Sequence, residues 1–566
     1  MFKQKKVIET PEAAFQRKKL FRFRTSLCLL SGLMLGFSFP PFPFGVLACF
    51  GLVPLLIVLA DIDNVKPSFR YIYLAMLVFH VITLNWTGGY VHMKDPYMMI
   101  AGALTMLLHP LFYFLPIGLY MFTKKHLGHM AAIIGLPFLW VGYEYSHSLG
   151  EWSFPWITIG NSQSYDLFRM QFISYTGVFG LSFWVLVINL LVFLLYSGLA
   201  QSSFTAKSWK SIRLVAWIGL IFILPSIHGW WVIKNAPETG NLADGKDKET
   251  IRVGMIQSNI DPWAKWQGSA FDAVKYYLQK TDSLVKAHPD DPPELVLWPE
   301  TAVTYYFLTE QGKDFREYLQ GEIDRIQVSV LTGFQHAVFY EDSTKAPPSS
   351  KRMKSTGQRY DAFNSAALLQ PGRTEVQWYG KMKMVPIAER VPYADVFYYL
   401  DFLRWGVGIG GWQIGPDSII FEDDRSDASF ATMICYESTY PGFVASFVRK
   451  GAEFVSIITI DSWWGRMSGA FQHHQYAIFR AVENHRWIPR CAVGGMSSYI
   501  DPYGRVYDKT ELFTEATLIR TIERRNDLTF YTEHGDWLGA GCMMLGGLLS
   551  IAALSQRFMN RKRTQT

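Results

Sequence analysis

Charge is in short supply. Asp, Glu, Lys and Arg make up 18% of the 566 residues, where soluble globular chains carry about 25%. With 49% hydrophobic and 16% aromatic residues, the chain falls outside the disordered class, which needs little apolar surface and a high net charge. It does not suit a wholly soluble protein either. Cysteine is rarer still, and five residues exclude a disulfide-stapled scaffold. No internal repeat is visible. The apolar runs hold almost no ionisable residues, which counts against an ion-coupled transporter. A net charge of +6 is mild for this length, and no nucleic-acid partner is expected. The length exceeds one ordinary core, so two or more bodies are predicted.

Long apolar runs are what the chain has instead. They lie near residues 25–40, 44–60, 71–90, 97–122, 129–146, 172–198 and 213–232, with an isolated one near 535–555. About 20 apolar residues cross the hydrocarbon as a helix. This pattern predicts an N-terminal membrane domain of seven spans over residues 1–232 and a C-terminal transmembrane helix over 535–555. The first two runs meet at Phe39-Pro40-Pro41-Phe42-Pro43-Phe44, a tight hairpin. The N-terminus is not a cleavable signal, because its basic stretch is long and further spans follow directly.

Short loops rich in Lys and Arg stay cytoplasmic. One parity collects Lys3, Lys5, Lys6, Arg17, Lys18, Lys19, Arg22 and Arg24, then Lys66, Arg70, Lys124, Lys125, Lys207, Lys210 and Arg213, and finally Arg557, Arg561, Lys562 and Arg563; the opposite short loops hold only Lys94 and Arg169. Seven crossings from a cytoplasmic N-terminus therefore place the segment after residue 232 outside, and an eighth returns the tail. Six crossings would scramble the pattern.

Residues 250–530 read as an α/β body. IRVGMIQSN, ELVLWPE, VSVLTGF, FATMICYE, FVSIITID and RCAVGGMSSYID are strand-like runs, and FDAVKYYLQKTDSLVKA, FREYLQGEIDRI and FQHHQYAIFRAVENH have helical periodicity. Such alternation predicts a sheet covered by helices. The polar, Pro/Ser-rich stretch 341–359 is expected to be a surface loop or mobile insert.

Three side chains at the ends of apolar runs fit one chemistry: Glu300 ends ELVLWPE, Lys381 follows VQWYG and Cys435 ends FATMICYE. A thiol is mostly protonated at neutral pH, and a nearby ammonium favours the thiolate. Lys381 supplies that charge and then holds an oxyanion, while Glu300 takes the thiol proton and returns it to a leaving group. Taken singly, Cys435 reads as a buried inert thiol, Glu300 as a salt-bridge partner and Lys381 as a surface charge. His473 and His474, adjacent on a helix, read as structural, and no metal-ligand spacing accompanies them. Cys28, Cys49 and Cys542 fall in apolar runs, and Cys491 and Cys435 are expected to stay reduced.

WPE at 298–300, YGKMKMVPIAERVPY at 379–393 and CYES at 435–438 resemble the nitrilase, or carbon–nitrogen hydrolase, superfamily. The N-terminal and C-terminal apolar runs, GMIQSNIDPWAKW, IDSWWGRMSGAFQHHQYAIFRAVE and YIDPYG resemble its apolipoprotein N-acyltransferase family. The resemblance implies an α-β-β-α sandwich beside a multi-span helical membrane domain of about eight spans in all, with Glu300 as general base, Lys381 as oxyanion cation and Cys435 as nucleophile. It implies that Glu389 orients Lys381, that Tyr436 and Glu437 support the oxyanion site, and that Trp266, Trp463 and Trp464 line the substrate region. Ile460-Asp461-Ser462 and Val493-Gly494 depart from the family pattern where acceptor recognition is expected.

The implied reaction moves an acyl chain from a membrane glycerophospholipid through a Cys435 thioester to the α-amine of a diacylglyceryl cysteine on an apolipoprotein. It needs no cofactor and no metal. A monomer in the bacterial inner membrane is expected, with the catalytic domain facing the periplasm. The aromatic stretch Tyr393–Gly411, with Tyr393, Phe397 and Trp405, is expected either to act as a lid toward lipid or to be an ordinary core helix and loop. A membrane-tethered amidase or ester hydrolase using water is the competing activity, and a non-catalytic scaffold is a third reading.

Overall fold

The computed structural model describes residues 10–90, 95–237, 250–266, 268–397 and 411–563. Its first part is helical: α1 (Pro11–Gly36), α2 (Ala48–Gly51), α3 (Val53–Ala60), α4 (Val65–Thr83), α5 (Pro96–Leu108), α6 (Phe114–Leu127), α7 (His129–Ser146), α8 (Leu167–Met170), α9 (Ile173–Thr176), α10 (Val178–Ala200) and α11 (Trp209–Asn235). Five helical runs are long and apolar enough to cross a bilayer: α4, the α5–α6 run, α10, α11 and the C-terminal helix, over Trp537–Arg561. The run Gly45–Ala60 is shorter, and α1 reaches further back than its apolar stretch because Thr10 caps it and Pro11 starts it. Its first turns carry the cationic residues.

The second part is a two-sheet sandwich. One sheet runs in the order β13-β1-β2-β3-β5-β4 with β6 paired to β5, from β1 (Thr250–Gln257), β2 (Leu295–Leu297), β3 (Ser329–Phe339), β4 (Lys351–Arg352), β5 (Arg359–Leu369), β6 (Gln377–Gly380) and β13 (Ala516–Glu523). The other runs β12-β11-β10-β9-β8-β7, from β7 (Phe421–Asp423), β8 (Ala428–Ile434), β9 (Phe454–Thr459), β10 (Ile488–Ala492), β11 (Ser498–Ile500) and β12 (Val506–Tyr507). The inner strands β1, β2 and β3 pair in parallel, as do β8, β9 and β10.

Alternation along each strand builds the layers. Val253, Met255, Leu295, Leu297 and Leu331 face the second sheet and meet Met433, Ile457 and Cys491. Ile256, Val296 and Val330 face outward and are covered by Val274, Tyr277 and Leu278 of α12 (Ala270–Lys286) and Leu319 and Ile323 of α13 (Lys313–Ile326). On the far side, α14 (Pro441–Arg449) and α15 (Ser468–Asn484) cover the second sheet; α16 (Phe530–His534) and α17 (Trp537–Arg563) follow.

Every strand-like run of the sequence is a strand, RCAVGGMSSYID dividing into β10 and β11. β5, β6 and β13 arise where no strand was read. β5 interrupts its apolar residues with Arg359, Asp361 and Asn364, and β13 is a half-exposed edge strand held by its antiparallel register with β1. The stretch 341–359 is the expected surface loop, mostly exposed, with its middle seated on the sheet. Ser349 and Ser350 are buried, Ser350 donates to Asp361 (2.6 Å), and β4 pairs with β5.

One glutamine joins the two parts. Gln472 on α15 donates to the carbonyls of Pro40 (2.9 Å) and Thr83 (3.0 Å) and accepts from the indoles of Trp86 (3.0 Å) and Trp156 (2.6 Å). Its carbonyl and its two N–H groups are thus all occupied. Nearby, Glu483 accepts from the first amide of α10, at Val178 (2.9 Å).

Candidate active site

Parallel strands end at the same edge, and their carboxyl ends are where a layered sheet presents side chains. Glu300 follows β2, Lys381 follows the antiparallel β6, and Cys435 follows β8. The structure brings the three together. Lys381 Nζ lies 2.7 Å from Glu389 Oε1 and 3.8 Å from Glu300 Oε1, and its side chain is fully buried. Glu300 also accepts from Asn364 Nδ2 (2.7 Å) and the Ile460 amide (3.0 Å). Glu389 accepts from the Val385 amide (2.8 Å) with its other oxygen, so both carboxylates are locked in orientation.

Cys435 sits where β8 turns sharply into a 3-10 turn (Cys435–Thr439), with φ at +53°. A non-glycine residue in that region is strained, and such strain persists only where its surroundings over-determine it. Two features hold the turn. Glu437 accepts from the Ile434 amide (2.8 Å), the Tyr379 hydroxyl (2.7 Å) and the amides of Met382 (2.7 Å) and Lys383 (3.1 Å), tying the Cys435 turn to the Lys381 loop. On the other side, His473 lies with Nε2 3.1 Å from the Cys435 carbonyl and 2.9 Å from Ser438 Oγ, and with Nδ1 2.9 Å from Asp461 Oδ1; Arg490 pairs with Asp461 Oδ2 (2.7 Å). His473 is structural, as its sequence suggested, but what it structures is the Cys435 turn.

Burial and Glu300 raise the Cys435 thiol, and Lys381 only partly offsets them. The resting thiol is therefore protonated. Burial also raises Glu300 above an ordinary glutamate, against the pull of Lys381 and Asn364. Burial opposes the charge on Lys381, yet Glu389 and Glu300 hold it above its usual value, so the ammonium persists. The expectation of a thiolate stabilised by Lys381 is thus corrected for the resting site: burial and Glu300 outweigh Lys381, and sulfur keeps its proton.

The aromatic residues divide between two places. Trp463 meets Trp263 edge-to-face (centroids 4.9 Å), and the Trp266 ring lies 5.9 Å from Lys265 Nζ with its own indole nitrogen buried and unpartnered. Trp464 instead joins Trp86 (4.6 Å) and Trp156 (5.7 Å), and Trp156 stacks on Tyr436 (6.1 Å, 12°). The residue after the thiol is thereby packed on the helical part. Tyr393, exposed and at φ +54°, donates its amide to Glu151 (2.8 Å), and Phe397 is half-buried in the same turn. Trp405 and the rest of 398–410 lie outside the described residues. At the departures, Ile460 serves Glu300 through its amide, and Gly494 makes room for Asn259, whose Oδ1 lies 3.1 Å from where a Cβ on Gly494 would stand.

Several contributors escaped the sequence reading. Asn364 is a polar break in β5. Lys265 donates to the Glu300 carbonyl (3.0 Å) and Thr301 Oγ1 (2.6 Å), and burial pulls its ammonium below an ordinary lysine. Glu151 is a clasp between the helical part and the Glu389 loop, also 3.6 Å from Arg390 Nε. Glu144 is buried and accepts from Trp140 (3.0 Å) and the Ile159 amide (2.7 Å). All five cysteines are free, and among the described residues no His, Cys, Asp or Glu group is arranged to hold a metal ion.

Comparison with known proteins agrees with both halves. Residues 31–191 match the apolipoprotein N-acyltransferase N-terminal domain, and residues 252–526 match the carbon-nitrogen hydrolase family. The apolipoprotein N-acyltransferase of Chlorobaculum tepidum is 33% identical over 538 residues, 93% of this chain and 96% of its own. That of Geobacter metallireducens is 28% identical over 533 residues, 94% of this chain and 95% of its own. Among solved structures, Nit3 of Saccharomyces cerevisiae, from the nitrilase superfamily, aligns over 52% of this chain and 96% of its own at 13% identity and a TM-score of 0.36. With the N-terminal region, the sandwich and near-complete coverage by a relative of this similarity, the chain belongs to the apolipoprotein N-acyltransferase family.

Proposed function

We propose that this protein transfers an acyl chain from a membrane glycerophospholipid to the α-amine of the N-terminal diacylglyceryl cysteine of an apolipoprotein, through a thioester on Cys435. Sγ attacks the ester carbonyl as Glu300 takes the thiol proton. The Lys381 ammonium and the Tyr436 amide, at the start of a turn where amides lack partners from within it, bind the oxyanion. The C–O bond breaks, and Glu300 gives its proton to the departing lysophospholipid. In the second half the amine attacks the thioester, Glu300 takes the amine proton and returns it to sulfur, and an amide is released. Thioester to amide is downhill, so no nucleotide is required.

The observation that carries this reading is the seating of the thiol. Cys435 is 8% exposed, and its neighbour Tyr436 packs on Trp156 of the helical part. A soluble amidase has no need of such a roof, whereas a lipid ester delivered from the bilayer, and a thioester kept from water, do. Eight crossings, an inner-membrane location and a periplasmic catalytic domain complete the proposal, supported by the one-sided distribution of Lys and Arg. Trp266, Trp463, Tyr393 and Phe397 would line the lipid approach.

The test is to incubate the purified protein with phospholipid carrying a labelled acyl chain. A hydroxylamine-sensitive label on Cys435 that persists until a lipopeptide amine is added is the expected result. Spontaneous loss of label would make the protein a tethered hydrolase, and no label on folded protein would make it a scaffold.

A further inference from the structure

The helical part has a second polar feature, at the end of α1 and α4 remote from the sandwich. A cavity of about 340 Å³ is lined by Arg17, Lys18, Leu20, Phe21 and Arg24 of α1 and by Arg70 and Tyr71 of α4. The two helices run in parallel, since Gly32 packs on Ala75 and Gly36 on Ile82. Residues 17, 20, 21 and 24 share the face of α1 that meets α4, by helical spacing. From Arg17 to Gly36 the helix rises about 28 Å, near the thickness of a bilayer's hydrocarbon core. At the near end, Thr83 already bonds Gln472 of the catalytic part. The cavity is thus a bilayer away from Cys435 and is not where the acyl donor's headgroup sits.

Lys18, Arg24 and Arg70 meet there, and among the described residues the one carboxylate that pairs with any of the three is Asp61. Arg24 pairs with Asp61, while its Nε is buried without a partner. Among the described residues no carboxylate pairs with Lys18 or Arg70. The Arg70 guanidinium is held instead over the rings of Tyr71 (4.5 Å) and Phe21 (5.5 Å) and gives one hydrogen bond to Tyr71 Oη (2.9 Å). One of its five donors is used, and stacking fixes the plane of the rest. Cations gathered this closely repel one another unless an anion joins them. A planar fork matches phosphate oxygens in pairs, and the apolar walls of Leu20, Phe21 and Tyr71 suit the glycerol and upper acyl segments of a lipid. Basic pockets between spans at the cytoplasmic face recognise anionic headgroups in this way.

We propose that this cavity binds the phosphate-bearing headgroup of an anionic phospholipid in the leaflet opposite the catalytic domain, a site separate from the acyl-donor site. It rests on α1 and α4 spanning the bilayer and not on the chemistry at Cys435. The test is native mass spectrometry of the full-length protein from micelles doped with phosphatidylglycerol, phosphatidylcholine of the same chains, or inorganic phosphate. Phosphatidylglycerol is expected to be retained over phosphatidylcholine, and Lys18→Gln with Arg70→Gln to weaken its retention at least tenfold. Lys19→Gln with Arg22→Gln, on the same helix but off the cavity, is expected to leave it unchanged. Thermal unfolding in detergent reports folding in each variant. Lys18→Glu, at an exposed position, should lower retention in the same direction if the double variant misfolds. Equal retention by the cavity and control variants, no preference between the two lipids, or displacement by millimolar inorganic phosphate would each overturn the proposal.

Discussion

The catalytic half buries full charges: Lys381 with Glu389 and Glu300 at the strand ends, and Arg490 with Asp461, beside His473, under α15. The helical half buries imidazoles that satisfy one another. His80 Nε2 lies 2.9 Å from His109 Nδ1, and His109 Nε2 lies 2.9 Å from His147 Nε2. The Met76 carbonyl, 2.6 Å from His80 Nδ1, only accepts, so that nitrogen carries the proton. The direction of the chain follows: His109 Nδ1–H donates to His80, and His147 Nε2–H donates to His109. Every bond is made with no ring charged. Asn189 does the same work alone, bonding Ala48, Val185 and Leu52. A sheet interior tolerates ions when each is paired and hydrogen-bonded, whereas helices facing lipid have little means to offset an unpaired charge. The proposed chemistry lies in the half that gathers paired charges, and the helical half meets it through neutral contacts such as Trp156 on Tyr436 together with the Glu151 clasp at Arg390.

The sharpest way to break this contrast is Lys381→Met. Cys435 acylation is expected to fall by about 100- to 1,000-fold, the scale of losing one oxyanion donor. Lys381→Arg is not expected to restore it, because a planar fork does not fit a site built around a point charge. Acylation within tenfold of the parent would remove Lys381 from the mechanism. Next is Arg490→Met, which leaves Asp461 buried against His473 alone. A loss of about 3–5 kcal/mol in stability is expected from breaking such a pair, read from unfolding in detergent.

A pH measurement follows. In the proposed mechanism acylation uses the Glu300 carboxylate, whose folded-state value lies above the ordinary 4.5, so the rate should fall with decreasing pH before an ordinary glutamate would titrate. Lys265 lowers that value by its charge. Lys265→Met should therefore move the acid limb to higher pH, and an unmoved limb would make Lys265 a turn-holder only. His109→Phe tests the neutral network. It leaves His80 and His147 each short of a partner, for about 1–3 kcal/mol, with the rate of Cys435 acylation little changed. The smallest effect is expected of Glu151→Gln, which keeps an acceptor for the Tyr393 amide and removes a partly exposed charge beside Arg390, within about 1 kcal/mol.

The three candidate residues were legible because each follows an apolar run; the runs before Glu300 and Cys435 read as buried strands, whereas β6 before Lys381 is short and half-buried. The parity of Lys and Arg was legible because they cluster between apolar runs. Asn364, Lys265 and Glu151 were not, since each acts on a residue far away in sequence: Asn364 and Lys265 reach Glu300, and Glu151 reaches Tyr393 and Arg390. β13 was hidden for a related reason: it is a half-exposed edge strand fixed by its partner β1, which is adjacent in the sheet but at the other end of the domain's sequence. The stretch 341–359 was legible as a surface loop, but composition reports polarity and not whether serines such as Ser350 find a buried acceptor.

Sequence by itself determined which segments can lie in lipid, which must fold as strands, and which side chains have the chemistry for acyl transfer, because hydropathy and periodicity are local properties. Only the tertiary structure decided that burial outweighs Lys381 at the thiol, that Glu437 and His473 brace the Cys435 turn from two sides, and that Gln472 pins the sandwich to the helices. These depend on distances across the fold and on how much water is excluded, which no stretch of chain encodes alone.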